Sequence, residues 1–252
     1  MRFWLALCVI LAPLSVWAEE VVLGLSRDQV SITTRFEGSD ILIFGAVKRE
    51  KPIPEGPELD VIVTVEGPSE AVMVRRKENR FGIWVNTDAV EVDKAPSFYA
   101  VASSGPLSSV LSDTEDLRHK ISISRAIRSV GAPMNIQDSE SFTEALIRIR
   151  KANQLYQELE SHVAVDQQTL FRTSIRLPAN LTEGDYVTRI FLARDGAVVS
   201  ELDTTINVRK VGLERWLFTL SRQQPLLYGL MSLAIAIAAG WGASAAFRMV
   251  RG

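Results

Sequence analysis

The sequence predicts a mainly β protein: an immunoglobulin-like antiparallel β-sandwich with an α-helical insertion, followed by one C-terminal transmembrane helix. Three observations carry this expectation. Short apolar or alternating stretches recur between residues 30 and 102, punctuated by Gly- and Pro-containing turns, which is the pattern of an antiparallel sandwich. After Pro106 a helical period replaces it. Finally, Pro225–Phe247 contains no charged residue and is bounded by Arg222 and Arg248.

The two ends set the expected topology. Met1 and Arg2 precede the apolar run Phe3–Leu14, and Ser15-Val16-Trp17-Ala18 precedes Glu19-Glu20. A positive charge, a short apolar core and small residues near a cut site read as a signal peptide over 1–18. Cys8 is the sole cysteine, and Leu7 stands where a lipoprotein signal needs a small residue. Cleavage after Ala18 would therefore leave no thiol and no disulfide. As a helix, 225–247 is ~35 Å long at ~1.5 Å per residue, enough to cross a ~30 Å hydrocarbon core. Export then places a 19–208 domain in the periplasm, a juxtamembrane stretch over 209–224, a span over 225–247 and a cytoplasmic tail over 248–252. The expected location is the inner (cytoplasmic) membrane, single-pass, with the bulk of the chain in the periplasm. Arg209, Lys210, Arg215 and Arg222 lie on the outer side in this scheme, against Arg248 and Arg251 inside. The signal peptide decides the orientation, because long domains translocate largely regardless of charge.

Taken in order, Val30-Ser31-Ile32-Thr33 alternates and Asp40–Val47 is densely apolar, with Gly38-Ser39 as the turn between them. Pro52, Pro54, Gly56 and Pro57 form a loop. Leu59–Val65 is the next strand, ended by Gly67-Pro68. Ala71–Arg75 and Phe81–Val85 follow, with a turn expected at Glu78-Asn79, and then Ser97–Ala102, ended by Gly105-Pro106. The helical insertion is expected over about 107–163. It is ambiguous to Ile127, broken at Gly131-Ala132-Pro133, and clear over 139–162. There Phe142, Ala145, Leu146, Ile149, Ala152, Tyr156, Leu159 and Val163 form a helical stripe, and Ser141 and Glu144 have capping-box spacing.

Strands return at Thr169–Leu177 and Tyr186–Ala193. Asp195-Gly196 is a hairpin turn into Ala197–Val208. Leu181, Gly184, Asp185 and Tyr186 match the start of the penultimate strand of immunoglobulin-like sandwiches, where a tyrosine hydroxyl bonds back to the backbone. Tyr186 is thus the candidate tyrosine corner, a stabilising device. Leu213, Trp216, Leu217 and Leu220 share one helix face. With Trp216 before the span and Tyr228 just inside it, the juxtamembrane stretch reads as an interfacial helix with an aromatic belt.

The net charge of −2 lacks the basic excess of a nucleic-acid binder. Nucleophile-elbow, phosphate-loop and dinucleotide fingerprints do not occur in the sequence. No catalytic residue, cofactor or metal ligand is assigned, and the chain is read as a non-enzyme. His119 and His162 stand far apart and read as solvated surface residues. Asp113, Glu115 and Asp116 fall near a helix start, where acidic side chains favour the dipole. Inside the span, Ser232, Ala236, Gly240 and Ser244 recur every four residues and present a small-residue face suited to helix–helix packing in lipid. The expected partners are inner-membrane lipid and, through the span, a polytopic membrane protein or a second copy. A tethered ligand-binding or sensor module is the other reading. It needs convergent polar groups, and Arg75, Arg76 and Arg172 are the candidates for an anion.

The chain also resembles the alphaproteobacterial putative transmembrane protein family. Gly24-Leu25-Ser26, Val30-Ser31-Ile32-Thr33, Phe36-Glu37-Gly38-Ser39 and Phe44-Gly45 carry the first part of the likeness. Leu155-Tyr156, Leu170-Phe171-Arg172, Leu177-Pro178-Ala179-Asn180 and Gly184-Asp185-Tyr186 carry the second. Pro225, Leu227-Tyr228-Gly229-Leu230, Gly240-Trp241-Gly242-Ala243-Ser244 and Phe247-Arg248 carry the third. The resemblance implies an exported protein with one C-terminal span and assigns no catalytic or binding residue. It further implies an association with sulfite-exporter-type permeases, and hence an accessory subunit for export of sulfite or organosulfur compounds.

Overall fold

The computed structural model describes residues 19–26, 29–32, 37–49, 53, 56–129, 138–210 and 213–251. The predicted signal peptide, 1–18, lies outside them. The strands are β1 (Glu19–Leu25), β2 (Gln29–Ile32), β3 (Ser39–Arg49), β4 (Asp60–Glu66), β5 (Ser69–Arg80), β6 (Ile83–Pro96), β7 (Tyr99–Ser103), β8 (Tyr156–Leu159), β9 (Ala164–Asp166), β10 (Leu170–Leu177), β11 (Gly184–Arg194) and β12 (Ala197–Lys210). The helices are α1 (Leu107–Val110), α2 (Asp113–His119), α3 (Ile123–Ala126), α4 (Ser139–Ala152), α5 (Leu213–Gln223) and α6 (Pro225–Arg251). The protein is mainly β, with one apolar helix at its C-terminal end.

Alternation builds the smaller sheet, ordered β1-β3-β10-β9. In β3, Ile41, Ile43 and Val47 are buried while Leu42, Phe44 and Lys48 are exposed. In β10, Phe171, Thr173, Ile175 and Leu177 alternate with exposed Arg172 and Arg176. A period of two puts one face of each strand inward and the other to solvent. β1 is not among the strands expected from the sequence. Its Val21 is buried, and it pairs antiparallel with β3.

The larger sheet, ordered β2-β12-β11-β4-β7-β8, has a different centre. Val61 through Val65 are all buried, so β4 is covered on both faces. Val61, Val63 and Val65 pair with Leu192, Ile190 and Thr188 of β11 and join Ile41, Ile43, Ile175 and Leu177 of the smaller sheet in one core. The opposite face carries Ile62, Thr64, Phe191 and Tyr99, and the helical segment after Pro106 lies on it. Phe191 meets the ring of His119 edge-on at 5.5 Å, and the Tyr99 hydroxyl donates to the Ile121 carbonyl at 2.7 Å. Fully burying an apolar side chain of this size contributes about 1.5–3 kcal/mol, so a strand buried on both faces dominates the core.

Several expectations change here. The sheets are mostly antiparallel, yet both edges of the larger one are parallel: β2 on β12 and β8 on β7. The helix expected over 139–162 stops at Ala152. Asn153 ends it, and Gln154 turns left-handed at φ 59°, after which Tyr156–Leu159 extends along β7. Tyr156 is buried and donates its hydroxyl proton to the Pro96 carbonyl at 2.8 Å. The apolar residues beyond Ala152 thus serve a strand and loop rather than a helical stripe. The capping box at Ser141 and Glu144 does not form. Asp138 precedes the first turn, and the Ser141 hydroxyl donates to the Asp138 carbonyl at 2.8 Å.

The hairpin β5–β6 forms a two-stranded sheet of its own, with one bridge from Lys94 near its base to Arg128. Its turn lies at Phe81-Gly82, with φ of 53° and 80°, rather than at Glu78-Asn79. Two successive left-handed residues between the paired Arg80 and Ile83 make a tight two-residue turn. Asn79 contributes its side chain, whose Oδ1 accepts from the Gly82 N–H at 3.0 Å. A left-handed conformation costs a non-glycine residue about 1–2 kcal/mol, and Phe81 bears it with its ring in solvent.

Candidate membrane interface

Pro225 opens α6. It has no N–H to leave unsatisfied and its φ suits a first helical turn. The helix runs to Arg251, so the expected tail at 248–252 is helical through that residue. Among the described residues, Pro225–Ser244 is the one helix long and apolar enough to cross a membrane, and none of it is buried by the rest of the chain. Such a helix in water would expose Leu226, Leu230, Leu233, Ile235, Ile237 and Trp241. In a bilayer the same surface is solvated by lipid, and the helix satisfies its own backbone.

Ser232, Ala236, Gly240 and Ser244 are exposed along this helix. Beyond the helix's own backbone, a Cβ added at Gly229, Gly240 or Gly242 would meet no described residue within 4 Å. The domain therefore places no demand for glycine there, although a mid-helix glycine costs about 1 kcal/mol relative to alanine. α5 precedes the span, and the Tyr228 N–H reaches the Gln224 carbonyl at 3.0 Å, so hydrogen bonding runs across the junction. Trp216 on α5 and Tyr228 on α6 are both exposed, one on each side of that junction.

The structure disperses the other candidates. Arg76 donates to Asp138 and, at 2.9 Å, to Ser141, and its guanidinium lies 4.6 Å from the Phe142 ring centroid. It ties the hairpin to α4. The hydrogen bond from Arg76 holds the Asp138 carboxyl below the usual carboxylate range. Arg75 is exposed on β5, where Arg76 is its neighbour in sequence, and Arg172 is exposed on β10 of the smaller sheet, so Arg172 lies on a different sheet from the other two. A cleft of about 510 Å³ near Ile53 is lined by Glu58, Asp60, Ser104, Gln167 and Gln168 and contains none of them. Its polar lining offers carboxylates and amides, which repel an anion or leave it unneutralised.

His162 is exposed, as expected, but His119 is not a solvated residue. Its side chain is 20% exposed, with Nδ1 3.1 Å from Glu201 and Nε2 3.4 Å from Glu115. The ring bridges α2 to β12 because it packs on Phe191 of the sheet beneath. Glu115 and Asp116 do fall in the first turn of α2 with Asp113, and each has a second task. Buried Glu115 faces the Val198 N–H at 3.4 Å. Asp116 accepts from the Ile121 and Ser122 N–H groups at 3.1 and 2.7 Å. Among the described residues, no three His, Cys, Asp or Glu side chains gather as a metal site.

Tyr186 is fully buried, and its hydroxyl donates to the Thr182 carbonyl at 2.8 Å. Burial pushes the phenol up to about 12. The role is local: it fixes the chain where Gly184, at φ 151°, starts β11.

A comparison with curated proteins finds no match. A family model described as "Putative transmembrane protein (Alph_Pro_TM)" matches residues 20–249, from the first strand to the last turns of the apolar helix. With the match spanning both the β domain and its C-terminal helix, the chain belongs to the Alph_Pro_TM family of putative transmembrane proteins.

Proposed function

We propose that this protein is a non-enzymatic accessory subunit of an inner-membrane transporter, held by one helix with its β domain in the periplasm. The observation that carries the reading is the bare surface of α6. Its small-residue face is left uncovered by the described residues of the chain, and in lipid such faces associate by close packing rather than by hydrophobicity. The signal-peptide pattern of residues 1–18 supports the orientation. The resemblance supports a permease that exports sulfite or an organosulfur compound.

The test is a photo-reactive residue at Ala236, on the small face, and separately at Ile237, off it, in the native membrane. Capture of a polytopic transporter from position 236 and not from 237 supports the proposal. Self-capture from 236 replaces it with a homodimer. Lipid adducts alone from both positions reduce the span to an anchor.

A second reading, a tethered ligand-binding or sensor module, is favoured by one feature. Gln168 Oε1 is buried without a hydrogen-bond partner at the edge of the Glu58–Asp60–Ser104 cleft. A ligand there would be a hydrogen-bond donor or a cation. A thermal shift with a small amine, and none with sulfite or sulfate, would support this module over an oxyanion receptor.

A further inference from the structure

The outer half of the β5–β6 hairpin is built unlike the rest of the domain. From Lys77 to Val85 every residue is exposed. Phe81 at the apex is completely exposed, and Ile83 and Trp84 are 66% and 65% exposed. Cross-strand register assigns them to different sides. Trp84 lies opposite Asn79 on one face, and Ile83 and Val85 lie opposite Arg80 and Glu78 on the other. A strand pair that covers one core alternates apolar and polar faces; this tip is apolar on both faces and at its end. Phe81 holds a left-handed conformation for which Asn, Asp or Gly is the usual choice. An outlier of that kind points to a use for the side chain, and no described residue covers this one.

The charge around the apex has one dominant sign. Arg75 and Lys77 are exposed on the Trp84 face, and Arg80 flanks Phe81. Glu78 is the one acid among residues 75–85, and it pairs with Arg80 at 3.3 Å. A chain of net charge −2 thus places a positive collar behind an aromatic point. Aromatic rings favour the level of lipid headgroups, and Lys and Arg beside them are attracted to anionic lipid. The tip is convex, so it suits a soft surface that closes around it rather than a preformed pocket.

We propose that the Phe81–Trp84 tip is a second membrane contact, inserting into a bilayer surface that carries anionic phosphate headgroups. The chain's own span already brings a bilayer within its surroundings. The proposal does not depend on a transporter partner: α6 anchors, and the tip orients the domain against the lipid.

The test uses the full chain with Cys8→Ala and Ile83→Cys, labelled with an environment-sensitive fluorophore and reconstituted in vesicles. A matched label at Leu117, 59% exposed on α2, is the control. In phosphatidylcholine vesicles with about one-third phosphatidylglycerol, the label at 83 is expected to be quenched by headgroup-proximal nitroxide lipid several-fold more than the label at 117. Replacing Arg75, Lys77 and Arg80 together by Gln should remove most of that difference, and pure phosphatidylcholine should show less of it. Equal, weak quenching at 83 and 117 in anionic vesicles overturns the proposal. So does a water-exposed label at 83 in vesicles combined with protein capture by a photo-crosslinker at that position in native membranes, which would make the tip a protein-docking element.

Discussion

Tyr99 on β7 donates its hydroxyl proton to the main-chain oxygen of Ile121, 2.7 Å away, across the interface between the larger sheet and the helical segment. Both residues are fully buried. The bond satisfies a carbonyl in the loop between α2 and α3, while Asp116 secures the N–H groups of Ile121 and Ser122. Tyr99→Phe preserves the ring and strands the carbonyl. It should destabilise the detergent-solubilised protein by about 1–2 kcal/mol, read as a lower urea midpoint at unchanged slope.

Alkaline pH tests the same layer. Burial raises the phenols of Tyr99, Tyr156 and Tyr186, the last two to about 12, above an ordinary value of about 10. The unfolded chain therefore loses these protons first. Their stabilising contribution is complete below about pH 10 and declines as pH rises through the folded values. Urea midpoints should fall across pH 10 to 12, and Tyr156→Phe should flatten that fall.

The Arg76–Asp138 contact predicts the opposite pH behaviour. Asp138 is depressed chiefly by its hydrogen bond from Arg76. Its contribution is present above the ordinary carboxylate value and lost as pH falls through the folded one. In Arg76→Met, the Asp138 carboxyl should titrate nearer the ordinary value by carbon-detected NMR. Proteolytic cleavage near the start of α4 should also quicken, because Ser141 loses its bond from the same guanidinium.

Gly45 has no room for a side chain. An added Cβ would lie 2.7 Å from the Val22 carbonyl oxygen and 2.5 Å from Phe171 Cζ. The phenyl ring can shift, but the paired backbone of β1 cannot do so without breaking register. Gly45→Ala should cost about 1–3 kcal/mol, the range for an overpacked core, and should loosen β1 first in hydrogen exchange.

Gly240→Leu separates the domain from its span. Beyond its own helix, no described residue lies within 4 Å of a Cβ at this position, so the urea midpoint of the β domain should not move. Any partner crosslink from Ala236 should fall, because the bulk would hold a second helix away.

Where local pattern and environment agree, the fold was readable. The dense apolar run of β3, the β-branched run of β4 and the Asp195-Gly196 turn, with φ of 52° and 74°, each follow from side-chain composition or turn chemistry. The apolar span needed only length and charge. Residues 153–163 were misread because Tyr156, Leu159 and Val163 fit a helical spacing as well as they fit a strand. Pairing with β7, whose partners lie 57 residues earlier, chose between them. His119 was misplaced for a similar reason: Glu115 is one turn away, but Glu201 and Phe191 arrive from strands far along the chain.

The sequence by itself determined that the chain is mainly β, that it carries one membrane-length helix, and where most strands begin and end. These depend on the hydrophobicity and backbone preferences of neighbouring residues. Tertiary structure alone decided that Arg76 is a brace, that His119 is a bridge, and that the apolar end of the β5–β6 hairpin is left uncovered. Those outcomes depend on which distant surfaces meet, and burial is a property of the assembled sheets rather than of any local stretch.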